Sequence, residues 1–208
     1  MKKDFMIGYI SGVICSKGFV IYNKKESIYT IAFETGNEEL YNIFTEMWGS
    51  LMKTGFKTYE KIYKKQKRFV FRVYDEKTVR RFFYRYGFRT GSHHWKIPKI
   101  VSGNKESLRG FLSGLFDSGS YIRWKIRERG KKKEKVRNIR IVSPCKRGLL
   151  AVKNALTEFG ISPMSYSSGK NYCLDIEGKM KLELFEMRIG FLLGINKIRL
   201  QEALSYKK

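Results

Sequence analysis

The apolar positions of this chain change period in a set order, and that order occurs twice. A mostly apolar opening segment, interrupted by Ser11, Ser16 and Lys17, predicts a first helix. Two strands follow over 19–25 and 28–34, then an amphipathic helix over 38–53 that ends at Gly55. Strands over 57–64 and 69–74 and a helix over 79–86 complete the series. The second series starts from a helix near mid-chain. It continues with strands over 121–127 and 137–142, a helix over 147–159 ending at Gly160, strands over 164–168 and 171–176, and a helix over 180–189. The expected order is αββαββα, twice, which makes an α+β chain. Residues 92–105, with Pro98 and Gly103, read as a linker between a first repeat over 1–91 and a second over 106–208.

The two first helices share more than their place. Ile7-Gly8-Tyr9-Ile10-Ser11-Gly12-Val13-Ile14 lies over Arg109-Gly110-Phe111-Leu112-Ser113-Gly114-Leu115-Phe116 at an offset of 102 residues, about half of the 208-residue chain. Glycines four apart share one helix face, and each costs a helix interior about 0.5–1 kcal/mol relative to alanine. That cost is met where two backbones must touch. Gly8, Gly12, Gly110 and Gly114 therefore predict that the two helices pack on each other across a pseudo-twofold axis.

Charge narrows the choice of partner. Lys and Arg number 43 against 19 Asp and Glu, a net charge of +24. A compact fold with that excess repels itself until a polyanion relieves it, and nucleic acid is the usual polyanion. Hydrophobic residues at 42% are enough for a core, which excludes a disordered chain. Cys15, Cys145 and Cys173 form neither a CxxC pair nor a zinc pattern, so a reducing cytoplasm is the expected home. The apolar stretch up to Gly18 is too short to span a bilayer and lacks a cleavage site, so no membrane association is expected.

Two segments carry a family resemblance. Ile10-Ser11-Gly12-Val13-Ile14-Cys15-Ser16-Lys17-Gly18 and Leu112-Ser113-Gly114-Leu115-Phe116-Asp117-Ser118-Gly119-Ser120 both resemble the LAGLIDADG motif of homing endonucleases. Trp95-Lys96-Ile97-Pro98, followed by Ser107-Leu108-Arg109-Gly110, resembles the join between repeats of single-chain members. Arg188-Ile189-Gly190-Phe191, then Lys197-Ile198-Arg199-Leu200, resembles their C-terminal end, so the resemblance covers essentially the whole chain. It implies that the motif helices pack at the centre and that each repeat carries a four-stranded antiparallel sheet. It also implies that the two sheets form a saddle on the DNA major groove. The eighth residue of each motif would then supply an acid to a shared divalent-metal site for phosphodiester cleavage.

At those eighth positions stand Lys17 and Gly119, and neither offers the hard oxygen ligand that Mg²⁺ demands. Asp117 is the sixth motif residue, which the family does not use as its metal ligand, and its counterpart in the first repeat is Cys15. Asp117 is thus the one remaining catalytic candidate, and is otherwise read as an ordinary polar residue near a helix end. Glu34 reads as solvated or as a contact to a base or to basic neighbours. His93 and His94 read as linker residues. No cofactor is expected, with Mg²⁺ needed only if nuclease activity is retained.

The candidate binding face comes from strand alternation. Ile122, Trp124 and Ile126 should face the helices, and Tyr121, Arg123, Lys125 and Arg127 the other way, where cations suit phosphates and guanine edges. In the next strand Ile139 and Ile141 read as core, with Asn138 and Arg140 opposite. The outward set of the first repeat is Phe19, Ile21, Asn23 and Lys25, then Thr30, Ala32 and Glu34. Its later hairpin adds Tyr59, Lys61 and Tyr63, together with Arg68 and Arg72. The 127–137 stretch, with Lys131-Lys132-Lys133, reads as a mobile basic arm over the phosphate backbone. The resulting expectation is a monomeric, sequence-selective binder of double-stranded DNA on a homing-endonuclease scaffold, without cleavage activity. Two rivals stand beside it. One is an active metal-dependent homing endonuclease. The other is a maturase-like binder of structured intron RNA, whose aromatic residues stack on unpaired bases.

Overall fold

Close backbone contact between two glycine-bearing helices sets the centre of the molecule. α1 (Lys3–Lys17) and α5 (Lys105–Gly119) cross there. A β-carbon on Gly8 would stand 1.9 Å from the Ser107 carbonyl oxygen, and one on Gly110 would stand 2.1 Å from that of Phe5. One turn on, a β-carbon on Gly12 would lie 2.2 Å from the Phe111 carbonyl oxygen, and one on Gly114 2.3 Å from that of Tyr9. The contacts are reciprocal, so the expected pseudo-twofold axis runs between the helices.

The computed structural model describes residues 1–88, 94–129 and 132–206, with the backbone alone for 127–129 and 132–135. In the first repeat α1 leads into β1 (Gly18–Asn23), β2 (Ile28–Thr35), α2 (Glu38–Leu51), β3 (Lys57–Tyr63) and β4 (Gln66–Val73). α3 (Glu76–Arg80) follows and runs into a π-turn over Arg81–Arg85. After α4 (Lys99–Ser102) and α5 the second repeat gives β5 (Ser120–Arg129), β6 (Lys132–Ser143), α6 (Lys146–Glu158), β7 (Met164–Ser168), β8 (Asn171–Glu177) and α7 (Lys179–Arg188). α8 (Gly194–Ser205) closes the chain. Each repeat holds one antiparallel sheet, in the orders β1-β2-β4-β3 and β5-β6-β8-β7. Polar N-caps start three of the helices. Asn37 accepts from Leu40 N–H at 2.9 Å, Asp75 from Thr78 N–H at 2.7 Å, and Asn104 from Glu106 N–H at 2.8 Å.

Helices cover one face of each sheet and form two cores. Phe33, Phe44, Trp48, Phe71 and Phe82 fill the first, and Phe116, Leu149, Leu156, Leu174 and Phe185 the second. The chain segment after each repeat crosses to the other repeat. Trp95 is buried in the second core and donates from Nε1 to Ser143 Oγ at 3.2 Å. Leu193 is buried in the first core, and the neighbouring Gly194 N–H donates to Glu39 Oε1 at 2.8 Å.

Four sequence expectations change. The 92–105 segment is not a plain linker over its described part, because Trp95 and Val101 are core residues and α4 lies within it. The 127–137 stretch is not an arm. β5 and β6 pair through it, down to Arg129 opposite Lys132, so the inserted residues lengthen a ribbon. Ile126 alternates as expected but is 48% exposed, because the ribbon outruns the helices that cover Ile122. α8 was not expected from the hydrophobic pattern, since its start depends on a partner far away in sequence. His93 lies outside the described residues.

Candidate nucleic-acid interface and the paired helix tips

α1 and α5 end side by side, at the place where the motif resemblance implies a metal. Lys17 and Gly119 line one small cavity of about 100 Å³, together with Ser16, Cys15 and the β6 end. A β-carbon on Gly119 would sit 2.4 Å from Ser16 Oγ, so no acid fits at that position unless Ser16 moves. On the other helix the equivalent residue is the exposed cation Lys17. Among the described residues, no three His, Cys, Asp or Glu side chains group to hold a metal ion. A divalent metal needs converging hard oxygens, and this donor set does not fit one.

Asp117 is near the tip but turned inward, and this corrects its reading as an ordinary polar residue. It is 6% exposed and its carboxylate takes four donors. Tyr9 Oη–H donates to Oδ2 at 3.0 Å, Leu192 N–H to Oδ2 at 2.8 Å, Leu193 N–H to both oxygens at 3.3 Å, and Asn196 Nδ2 to Oδ1 at 3.1 Å. The carboxylate thereby fastens the start of α8 to α5 and to α1. Burial pushes its pKa up to about 6, against the pull of those donors. Burial first, and then the Asp117 charge, raise the Tyr9 phenol far above its usual range. At the equivalent place in the first repeat Cys15 is half-buried, desolvation raises its thiol, and its Sγ–H points at the Lys96 carbonyl at 3.9 Å. Both sixth motif residues therefore hold the returning chain segment.

The sheet faces opposite the helices carry the sequence-predicted binding residues. On the first sheet, register places Tyr59, Lys61, Arg68 and Arg72 on that face, with Ala32 opposite Arg72. Arg72 Nη1 donates to Tyr74 Oη at 3.2 Å, and its guanidinium lies 5.8 Å from the Tyr59 ring centroid. The Nε atoms of Arg68 and Arg72 are buried without a partner among the described residues. Lys61 is paired with Glu34 at 2.8 Å. Asn23 spends its amide on the β1–β2 turn, donating to Glu26 Oε2 at 2.7 Å and accepting from Lys25 N–H at 3.1 Å. Lys25 sits in that turn, beyond the strand, and is exposed. Thr30 lies on the open face but is only 8% exposed.

On the second sheet Tyr121, Arg123 and Lys125 are exposed on one face, as expected. Arg123 stacks on Tyr121 at 4.4 Å and donates to its hydroxyl at 2.5 Å. Asn138 shares this face but is only 3% exposed. Arg140 is bound by Asp175, with Nε to Oδ1 at 2.6 Å and Nη2 to Oδ2 at 2.5 Å. Tyr166 Oη–H donates to the same carboxylate at 3.2 Å, and burial raises that phenol to about 12. The side chain of Arg127 lies outside the described residues. Sequence reasoning allowed basic neighbours for Glu34, and Lys61 is one of them. It missed the Asp175 pair and the Leu192–Asn196 socket of Asp117. Each joins residues distant in sequence, and no local spacing signals it.

Residues 106–190 match the family described as LAGLIDADG-like domain. No curated protein matches the chain. Its fold is similar to that of I-DmoI in complex with DNA and Ca, with a TM-score of 0.64 at 16% identity over 97% of this chain and 100% of that one. Mesophilic variants of the homing endonuclease I-DmoI give 0.63 at 15% identity, over 90% of this chain and 92% of theirs. Full-length DUF199/WhiA from Thermatoga maritima gives 0.62 at 14% identity, over 100% of this chain and 63% of that one. At these identities the likeness to the solved structures is one of fold.

Proposed function

We propose that this chain, LAGLIDADG-like in its second repeat and in its two-repeat fold, is a sequence-selective binder of double-stranded DNA that does not cut its target. The observation that carries the reading is the contrast between the helix tips and the sheet faces. At the tips stand a lysine, a glycine where a side chain would displace Ser16, and an aspartate whose carboxylate already holds four donors. On the sheets stand Arg68, Arg72, Arg123 and Lys125, with no carboxylate paired to them among the described residues. Arginine held over a tyrosine ring and bonded to a phenol presents a positioned set of donors, which suits phosphate oxygens and the O6/N7 edge of guanine. I-DmoI, of the same fold, is solved in complex with DNA. The internal duplication supplies the twofold symmetry that a single repeat gains by dimerising, so the chain acts as a monomer.

Two assays test this together. A gel shift on a random-sequence duplex should weaken steeply with salt, since neutralising each phosphate releases counterions. Supercoiled plasmid incubated with Mg²⁺ or Mn²⁺ should remain intact at protein concentrations that shift it completely. Nicking that disappears in a folded Asp117→Asn variant would overturn the absence of cleavage. Binding that ignores salt would overturn the duplex reading itself.

A further inference from the structure

A second cationic surface lies behind the first sheet. Lys77, Arg80, Arg81 and Arg85 surround Tyr84 on α3 and its π-turn, and they line a shallow hollow of about 410 Å³. The π-turn is closed by Tyr86 N–H donating to the Arg81 carbonyl at 3.0 Å, and such turns often mark functional sites. It buries Phe82 in the core and packs Phe83 against it, while Tyr84 and Arg85 are exposed. None of the four cations forms an ion pair among the described residues. Two acids lie nearby. Asp75 lines the adjoining hollow with Lys77 and Arg81, where hydrogen bonds from Thr78 and then those two charges lower its carboxyl, but each acid also has a hydrogen-bond partner of its own. Glu76 accepts from Tyr22 Oη–H at 3.4 Å, and Asp75 caps α3 through Thr78 N–H at 2.7 Å.

Tyr84 gives this patch its chemistry. The ring is 65% exposed. It is braced from behind, edge-on to Tyr22 at 5.3 Å and to Phe83 at 5.2 Å. A second hollow of about 500 Å³ shares Lys77 and Arg81 and extends the track to Lys53 and Thr54, whose hydroxyl is buried without a partner among the described residues. Tyr22 belongs to the helix side of β1, so the track faces away from the strand face of the first sheet that bears Arg72.

We infer that this outer track binds single-stranded nucleic acid, independently of the sheet faces. A braced, exposed ring among unpaired cations is a stacking platform within an electrostatic groove, and it can be used only by a base that is not already stacked in a duplex. The arginines and lysines hold the phosphates on either side, and Tyr84 takes one base. A duplex on the sheets and a single strand behind them can then be held at once.

Fluorescence anisotropy of the full chain with labelled twelve-residue oligothymidylate and oligouridylate tests this, with a random-sequence duplex as the parallel ligand. Tyr84→Ala should weaken oligonucleotide binding by about tenfold, within the range that loss of one base–aromatic stack gives. Tyr84→Trp should restore it. Arg80→Gln/Arg81→Gln/Arg85→Gln should abolish it, while duplex affinity changes less than about twofold in all three variants, as for separate sites. Either oligonucleotide binding more tightly supports the inference and assigns the sugar. Unchanged affinity in Tyr84→Ala overturns it. So does loss of oligonucleotide binding in an Arg72→Gln/Arg123→Gln variant, which would put the strand on the sheets. Displacement of the oligonucleotide by polyglutamate at equal charge concentration would instead identify an acidic protein as the partner.

Discussion

One row across each sheet shows how far the two repeats differ. In the first repeat the row runs Phe19–Ala32–Arg72–Lys57, and in the second, at the matching register, Tyr121–Arg140–Asp175–Met164. The backbones pair alike, but the first row carries two cations and no acid, while the second carries one of each in a two-hydrogen-bond pair. Arg72 keeps an unpartnered Nε, and Arg140 has its charge answered within the fold. The second repeat moves its uncommitted cations to the outer strand, on Arg123 and Lys125. Fold symmetry therefore does not carry over into binding symmetry. The two halves offer a ligand charge on non-equivalent strands, β3 and β4 in the first and β5 in the second.

That comparison presupposes the axis, and the largest effect is to remove it. We expect Gly12→Leu or Gly114→Leu to cost about 3 kcal/mol or more, because a side chain there meets backbone carbonyls that cannot swing aside. Urea denaturation followed by circular dichroism measures it. A loss of under about 1 kcal/mol, within the range of tolerated volume-conserving swaps, would mean that the helices are not in backbone contact.

The next effect sharpens the contrast between Asp117 and Cys15. An unfolded aspartate titrates near its ordinary value, whereas the folded Asp117 does so at about 6. Between those values the native state holds a proton that the unfolded chain has released. The associated stability is full below the ordinary value and is lost as pH rises through about 6. We expect the wild type, relative to Asp117→Asn, to lose roughly 2–3 kcal/mol between pH 4 and pH 7, from 1.36 kcal/mol per pKa unit. Subtracting the two stability-versus-pH curves removes the opposite trend from Asp75 and Glu106, whose carboxyls are lowered by hydrogen bonds from Thr78 and Arg109. A flat difference curve would refute the buried clamp.

How much of this the chain announces locally follows from range. The seam was legible because four glycines repeat at a common offset and a glycine pair within a helix has one physical use, close approach. Strand order and the alternation at 121–126 were legible because period-2 burial is a local property. Arg68 and Arg72 were harder to place, since β4 reads Phe69-Val70-Phe71 across both faces and Val70 is buried under its neighbours on the open side. The Asp175 pair and the socket of Asp117 were not legible at all. Their partners lie 35 to 79 residues away and meet only once the sheets and the returning segments are in place.

Breaking the second row should cost stability rather than affinity. Arg140→Met strands Asp175, which is 2% exposed, without its counter-charge. Removing one partner of a fully buried pair costs about 3–5 kcal/mol, and the partial exposure of Arg140 reduces the expected loss to about 2 kcal/mol. Arg72→Met has no acid to strand, so its stability should stay within about 0.5 kcal/mol of wild type. Thermal melts of the two variants decide. Equal losses would show that the rows do not differ as described.

The smallest effect has the opposite sign, and for that reason it is the most discriminating. Arg72→Gln should weaken duplex binding by about tenfold and lower the log–log salt slope by about 1, one phosphate-scale contact. Glu34→Gln should strengthen binding, by about two- to threefold, because it releases Lys61 from a 2.8 Å pair and removes a negative charge from the same face. Its salt slope should steepen rather than flatten. A face that merely carries solvated charges would show neither shift. A face that meets DNA through bases alone would show the Arg72 loss without a slope change. Only phosphate contact through the first sheet predicts both slopes moving, in opposite directions, while the melting curves of the two variants superimpose on wild type.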